Sequence, residues 1–139
     1  MKERVSAYAA AGVDTQAGDR AVELIVLGGL LRPSYLSLVG ALPLQALAQL
    51  SADVAFMGTS GLRPDGMVLD STGTEVPIKH AIREAAERTC LLATTDKFPG
   101  SGLLPVCPAT ELQAVITTAA PATAPLPSLE NTDTEVILV

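Results

Sequence analysis

Five short aliphatic runs, most of them followed by glycine or hydroxyl-bearing residues, restrict the architectures open to this chain. The runs are Val22–Leu27, Ala52–Met57, Cys90–Ala93, Ala114–Thr117 and Glu135–Val139. A short, nearly continuous aliphatic run that ends at turn residues is typical of a strand buried on both faces of a parallel sheet. We therefore predict five strands, the last of them at the very end of the sequence.

Amphipathic segments between these runs predict helices. Residues 38–50 carry apolar side chains at helical spacing, and Pro43 fits the first turn of such a helix. Residues 76–89 form the clearest helical pattern, with Pro77 in the first turn. Its apolar face holds four residues, Ile78, Ile82, Ala85 and Ala86. Its solvated face predicts two ion pairs at i,i+4 spacing, Arg83 with Glu87 and Glu84 with Arg88.

Three further segments complete the organisation of the chain. Residues 2–11 predict a short helix, and a polar linker follows it up to residue 21. Residues 109–113 predict a helical turn capped by Thr110, and residues 118–134, rich in proline and alanine, predict a loop. Strands and helices in alternation indicate a single α/β domain over residues 1–139, with a Rossmann-like, mainly parallel sheet of about five strands and flanking helices.

The composition argues against several classes of function. The net charge is −6 and there is no basic stripe, so we expect no DNA binding by this chain alone. Aromatic residues make up only 3% of the chain and tryptophan is absent, which disfavours platforms for stacked bases. One histidine and two cysteines without a CxxC spacing make a zinc site improbable, and we expect neither a metal nor another cofactor.

The most apolar region does not predict a membrane span. Gly28, Gly29, Arg32 and Pro33 interrupt it, and a spanning helix needs about 20 consecutive apolar residues. The first twelve residues lack the continuous apolar core of a signal peptide. Two cysteines that form no disulfide framework fit a reducing compartment, and we expect a cytoplasmic protein.

Polar turn residues follow the predicted strands, and ligands of open parallel sheets bind beyond the carboxyl ends of the strands. Small and hydroxyl-bearing residues let backbone N–H groups approach a ligand, which suits a phosphate or a polyol. Lys97 would supply the positive charge, and Lys79 would add a second ammonium near the helix N-terminus. Either lysine alone is better explained as a solvated surface residue than as a ligand-binding one. The predicted ligand-binding residues are Gly28, Gly29, Tyr35, Gly58, Thr59, Ser60, Gly61, Lys79, Thr95 and Lys97.

The residues that could support catalysis form no convincing set. A proton-transfer enzyme would need a carboxylate at a strand end. Asp96 neighbours Lys97, and neither Asp65 nor Asp70 closes a predicted strand. The single histidine, His80, lies on a surface-like helix, so no Ser/His/Asp arrangement is compelling. We therefore expect a protein that is not an enzyme.

Several motifs in register resemble the effector-sensing domain of the DeoR family of bacterial transcription regulators. The matching segments are VELIVLGGLLRPSYLSLVG (22–40), ADVAFMGTSGLRPDGMVLD (52–70), EVPIKHAIREAAERTCLLATTDKF (75–98), LQAVITTAAP (112–121) and EVILV (135–139). The similarity covers residues 22–139, and residues 1–21 lie before it. No helix-turn-helix is expected within the 139 residues.

The resemblance implies a fold shared with sugar-phosphate isomerases and deaminases and with coenzyme A transferases. It also implies binding of a phosphorylated sugar or related metabolite by Gly58, Thr59, Ser60, Gly61, Lys79 and Lys97. The isomerase relatives carry acidic residues where this chain has GTSG, which favours a sensor over an enzyme. An isomerase-like enzyme remains the alternative, and a remnant that binds no ligand and only oligomerises is a further one.

The chain departs from the family pattern in ways that affect its surface. The strand ending in a Gly-Thr-Thr phosphate loop and a later Thr-Asn strand end are not found, and Thr94 and Thr118 stand where the family has aspartates. A sheet without those strands gains an exposed edge and an uncovered apolar face, which favours association. We therefore expect a homo-oligomer.

Overall fold

The computed structural model describes residues 24–118, 129 and 132–139, which form nine strands and two helices. In chain order they are β1 (Leu30–Arg32), β2 (Ser37–Val39), α1 (Ala41–Leu47), β3 (Ala52–Gly58), β4 (Gly61–Leu62), β5 (Met67–Asp70), α2 (Val76–Ala85), β6 (Ala86–Ala93), β7 (Leu104–Pro108), β8 (Ala114–Thr117) and β9 (Glu135–Leu138). The predicted helix at residues 2–11 and most of the predicted loop at 118–134 lie outside the described residues.

A parallel sheet of four strands, in the order β3-β6-β8-β9, confirms the predicted α/β class. Four of the five predicted strands belong to it. Phe56 pairs with Cys90 and Cys90 with Ala114, while the neighbouring row joins Met57, Leu91 and Val115. Residues paired in register share one face of a sheet, so the two rows point to opposite faces.

The first predicted strand, Val22–Leu27, is wrong where the structure describes it, because residues 24–27 belong to no strand. Leu24 is 82% exposed. A strand buried on both faces needs a hydrogen-bonded neighbour and a layer on each side, and β3 pairs only with β6 among the described strands. Gly28 and Gly29 instead turn the chain at φ values of 76° and 102°, and an antiparallel hairpin of β1 and β2 follows.

The clearest predicted helix is confirmed, but it ends at Ala85, four residues earlier than expected. Ala86 begins β6, so the predicted apolar face loses its last member. Glu87 and Arg88 lie in the strand, where the predicted pairs at i,i+4 spacing cannot form. Arg83 instead pairs with Glu111, its guanidinium 2.7 Å from the carboxylate.

The helix predicted at 38–50 is confirmed in the shorter form of α1, with Pro43 in the first turn. The turn at Ala109–Glu111 is a single 3₁₀ turn. Thr110 does not cap it, because Pro108 occupies the capping position.

An antiparallel sheet in the order β4-β5-β7 covers one face of the parallel sheet. The sequence pattern did not predict it, because its strands are two to five residues long and β7 begins and ends near prolines. Between the two sheets lies the core, a largely aliphatic cluster whose largest fully buried side chains are Leu62, Leu91, Val68 and Val115.

The described parts of the connections between successive parallel strands pack on this same side of the sheet. Val76 of α2 packs against the core cluster, and Val106 of β7 and Leu129, between β8 and β9, belong to it. Right-handed crossovers that progress in one direction across a sheet require this arrangement. Among the described residues, no helix has the length and apolarity needed to cross a membrane.

Candidate functional site

A pocket of about 300 Å³ opens beyond the carboxyl end of β3, where the parallel-sheet rule places ligands. The end of β5, the start of α2 and the turn after β6 complete its wall. Its lining residues are Tyr35, Gly58, Thr59, Ser60, Asp70, Ser71, Thr72, Glu75, Lys79 and Lys97.

The loop after β3 is held to β5 by hydrogen bonds of its hydroxyl groups. The Thr59 hydroxyl donates to the carbonyl of Leu69 at 2.8 Å, and its oxygen accepts from the Gly61 N–H at 3.0 Å. The Ser60 hydroxyl donates to the Ser71 hydroxyl at 3.1 Å and accepts from the Ser71 N–H at 3.0 Å. These bonds fix a row of hydroxyl groups along one wall of the pocket.

Two glycines bring the turn that carries Lys97 against this loop. A Cβ atom on Gly61 would lie 2.4 Å from the backbone of Gly100, and one on Gly100 would lie 2.2 Å from the Cα of Gly61. The two backbones therefore touch, which only glycine permits. The turn that starts at Thr95 and includes the cis peptide bond Phe98–Pro99 is held in place by this contact.

The Lys97 ammonium reaches the pocket and forms an ion pair with its neighbour Asp96 at 2.7 Å. The Asp96 carboxylate is 66% exposed and does not line the pocket. Its pKa is lowered, chiefly by the hydrogen bond from Lys97 and next by that from the Thr94 hydroxyl. An exposed pair of this kind is weak, because water and salt screen it.

Lys79 has a different environment, because its charge is compensated inside the protein. Its ammonium pairs with the buried carboxylate of Asp70, at the end of β5, and donates to the carbonyl of Gly58 at 2.7 Å. The other oxygen of Asp70 accepts from the Thr72 N–H at 2.8 Å. One ion pair thus ties together the ends of β3 and β5 and the first turn of α2.

Glu75 anchors the β1–β2 hairpin to the other side of the pocket. Its carboxylate pairs with Arg32 and accepts from the Ser37 hydroxyl at 2.6 Å. The Arg32 guanidinium stacks over the ring of Tyr35, 4.2 Å from its centroid. The hairpin therefore holds Tyr35 at the pocket mouth through contacts that also compensate the Glu75 charge.

Six of the predicted site residues line this one pocket: Tyr35, Gly58, Thr59, Ser60, Lys79 and Lys97. Gly61 lies beside it at the contact with Gly100. Thr95 connects the ends of β6 and β8, since its N–H donates to the Thr118 hydroxyl at 3.2 Å. Gly28 and Gly29 precede β1 and are absent from the lining residues of this pocket, and a Cβ atom on Gly29 would meet Pro43.

Sequence reasoning missed four lining residues, Asp70, Ser71, Thr72 and Glu75. The expectation that Asp70 closes no strand was wrong, because it is the last residue of β5. The sequence does contain a signal for this strand end, because the apolar run MVLD is followed by the hydroxyl-bearing Ser71 and Thr72, as at the other strand ends. The run was not predicted as a strand because it is short and because its partner strand β7 is flanked by prolines.

Comparison with known proteins gives a consistent set of relatives. The family described as the DeoR C terminal sensor domain matches residues 8–119. A glycerol-3-phosphate regulon repressor of Haemophilus influenzae is 32% identical over 76 residues, which are 55% of this chain and 29% of that protein. The repressor of the same name from Escherichia coli is 30% identical over 98 residues, 70% of this chain and 39% of that protein.

A putative sgc region transcriptional regulator of Escherichia coli is 31% identical over 77 residues, which are 55% of this chain and 30% of that protein. The chain thus spans 29–39% of the length of these relatives.

Proposed function

The chain belongs to the family of DeoR C-terminal sensor domains, and from this premise we propose that its strand-end pocket binds a small phosphorylated metabolite, a sugar phosphate or a polyol phosphate, as the effector of a transcription regulator. Two of the relatives bear the name of repressors of a glycerol-3-phosphate regulon, which makes glycerol 3-phosphate a natural first compound to test.

The proposal rests on which charged groups of the pocket have a partner inside the protein and which do not. Two of its charged lining residues, Lys79 and Glu75, have partners that are held inside the protein. Among the described residues that line the pocket, Lys97 is the cation whose partner, Asp96, lies outside the pocket and is exposed to solvent. Exchanging Asp96 for the oxygens of a phosphate would cost little and would give a charge-assisted hydrogen bond in a less exposed place.

The hydroxyl-bearing wall suits the rest of such a ligand. Hydroxyl groups of Thr59, Ser60 and Ser71 lie in a row, and their oxygens can accept further hydrogen bonds from the hydroxyl groups of a sugar or polyol. The volume of about 300 Å³ fits a small molecule rather than a dinucleotide. We expect Lys97 to contact the phosphate and Lys79 to position the wall.

Sensing fits this pocket better than catalysis. The buried carboxylate of Asp70 is the group that a proton-transfer enzyme would need. One of its oxygens accepts from the Thr72 N–H and the other pairs with Lys79, so the carboxylate is held as the counter-ion of a lysine, which disfavours its use as a base. Aldose–ketose interconversion of the bound compound, followed by NMR, would contradict this part of the proposal.

A thermal-shift titration tests the binding. Glycerol 3-phosphate and a panel of sugar phosphates are compared with the same compounds without phosphate. A ligand at a hundred times its Kd stabilises the folded state by about 2.7 kcal/mol, which raises the Tm by several degrees. We expect a shift with at least one phosphate ester and none with its parent alcohol.

A matched pair of variants tests whether Lys97 contacts the phosphate. Lys97→Gln removes the pocket cation, and we expect it to lose the shift while its own Tm changes little. Arg63→Gln removes a more exposed cation, paired with Asp65 at the β4–β5 turn and outside the pocket, and should respond as the wild type does. If both variants respond fully, Lys97 does not contact the phosphate and the pocket is misassigned.

A further inference from the structure

Glu75 keeps room for one more hydrogen bond in the strand-end pocket. Its Oε1 atom accepts from the Arg32 guanidinium and, at 2.6 Å, from the Ser37 hydroxyl, and none of the described residues donates to its Oε2 atom. Both oxygens of Asp70, the other carboxylate that lines the pocket, already have partners within the protein. The Glu75 side chain is 20% exposed, so its second oxygen is open to a bound molecule.

The fold holds this carboxylate in one orientation. Glu75 immediately precedes the first residue of α2, and Arg32 and Ser37 face each other in the register of the β1–β2 hairpin. The two donors therefore reach the same oxygen from neighbouring strands. A binding group that is fixed by hydrogen bonds of its own discriminates between ligands more sharply than a mobile one.

Lys97 and Glu75 border the pocket on different sides. Lys97 lies in the turn after β6, whereas the Glu75 carboxylate is bonded to the hairpin. Glu75 also lines a second, largely apolar cavity of about 320 Å³ beside the hairpin, and Lys97 does not. A ligand whose phosphate contacts Lys97 would therefore present its other end to the side of Glu75.

The cations near Glu75 are engaged elsewhere, within the part of the chain that the structure describes. Arg32 is absent from the residues that line the pocket, and its guanidinium stacks against the Tyr35 ring. Lys79 is paired with Asp70. A second anionic group on the ligand would therefore meet the Glu75 carboxylate without a cation of the pocket wall to neutralise it.

We propose that Glu75 makes the pocket selective for phosphate esters whose other end is a neutral hydroxyl group, and against ligands that carry a second anionic group. This inference rests on the proposed function, in which Lys97 contacts the phosphate. An ionised carboxylate only accepts hydrogen bonds, so a sugar or polyol hydroxyl is the donor that it needs. A carboxylate, or a second phosphate above its pKa of about 6, offers no proton and places like charges side by side. The ligand class thus narrows to monophosphates of neutral sugars and polyols.

Matched pairs of compounds test this selectivity in the wild-type chain. The two members of each pair share a phosphate and differ in the charge of the other end: glycerol 3-phosphate with 3-phosphoglycerate, fructose 6-phosphate with fructose 1,6-bisphosphate, and sorbitol 6-phosphate with 6-phosphogluconate. The Kd values are measured by isothermal titration calorimetry. For an ester that binds, we expect the doubly anionic member of its pair to have a Kd higher by about tenfold or more, because like charges in contact are strongly disfavoured.

Two substitutions assign the selectivity to Glu75. Glu75→Gln keeps the shape of the side chain, removes its charge and leaves the Arg32 guanidinium without a counter-charge. We expect the doubly anionic member of a pair to bind about tenfold more tightly than to the wild type, and the neutral-ended ester severalfold more weakly. Glu111→Gln is the matched control, because it removes the carboxylate of another arginine pair, with Arg83, outside the pocket. It should leave the ratio of the two Kd values unchanged.

The outcomes separate this inference from the proposed function. If none of the phosphate esters binds, the proposed function fails and the inference fails with it. If an ester binds but its doubly anionic counterpart binds as well or better, or if Glu75→Gln weakens both members alike, the phosphate site stands and Glu75 does not select its ligand. Should Glu75→Gln lose its fold by circular dichroism, the double variant Arg32→Gln/Glu75→Gln, which removes both charges of the pair, takes its place and should narrow the ratio in the same direction.

Discussion

Replacing Gly61 by alanine should separate the two backbone segments that form the pocket. The new Cβ atom would lie 2.4 Å from both the Cα and the carbonyl carbon of Gly100, whereas ordinary contacts are 3.4–4 Å. One segment must therefore move by about 1 Å relative to the other, which is an overpacking change that costs about 1–3 kcal/mol. Because neither neighbour is a flexible side chain, we expect a value near the upper end.

The assay is thermal and denaturant unfolding of Gly61→Ala beside two related variants. For a chain of this size the cost corresponds to a Tm lowered by roughly 4–12 °C. Gly58→Ala is the control, because a Cβ atom there has nothing within 4 Å and the residue has no positive φ. It should be neutral, or more stable by up to about 1 kcal/mol, since alanine restricts the unfolded chain.

The double variant Gly61→Ala/Gly100→Ala tests whether the backbone contact causes the loss of stability. Gly100→Ala alone should destabilise as Gly61→Ala does, because its Cβ atom would lie 2.2 Å from the Cα of Gly61. Once the segments have moved apart the second methyl group meets less resistance, so the double variant should lose less than the sum of the two. Equal effects of Gly58→Ala and Gly61→Ala, or strict additivity, would refute the backbone contact.

Two further predictions concern the ion pairs of the pocket. Asp70→Asn leaves the Lys79 ammonium with no counter-charge at a nearly buried position and should cost about 3 kcal/mol by denaturant unfolding, while adding Lys79→Met should recover part of it; a neutral effect of Asp70→Asn would contradict a buried pair. The Asp96 carboxyl should titrate by NMR below its ordinary pKa of 3.8 and move back towards it in Lys97→Gln. Because its folded pKa is lowered, its contribution to stability is present above the unfolded value and is lost as the pH falls through the folded one. An unchanged titration in Lys97→Gln would show that the pair does not form in solution.

The strands of the fold could be predicted where an aliphatic run was long enough to indicate a buried segment. Ala114–Thr117 matches the expected strand because it lies between β6 and β9 and needs an apolar character throughout, and Ala52–Gly58 matches as the strand that pairs with β6 at the edge of the described sheet. Leu24–Leu27 has the same character and is not a strand. The pattern reports that a segment is apolar, whereas strand formation also requires a partner strand beside it.

The helix boundary at Ala85 shows a second limit of the sequence pattern. The helical periodicity of α2 continues into Glu87 and Arg88, but β6 must start at Ala86 to pair with Ala52. Tertiary pairing with β3 therefore overrides the local preference. A single sequence contains no signal for that competition.

The site was predictable in type more than in detail. The strand-end rule identified Thr59, Ser60 and Lys97 from their positions after aliphatic runs. It could not show that the Lys79 charge is compensated by Asp70, because the two are nine residues apart and meet only through the fold of β5 against α2. The distinction between a ligand-contacting and a positioning lysine is a property of the packed structure.

Mapping a phosphate ester onto the backbone by NMR is the most direct test of the proposed function. The compound that raises the Tm is titrated into ¹⁵N-labelled protein, with its parent alcohol as the control. The proposal predicts that the amides of Thr59, Ser60, Gly61 and Lys97 shift together with one affinity. Shifts confined to other parts of the chain, or no shift at saturating ester, would contradict a phosphate site at this edge of the sheet.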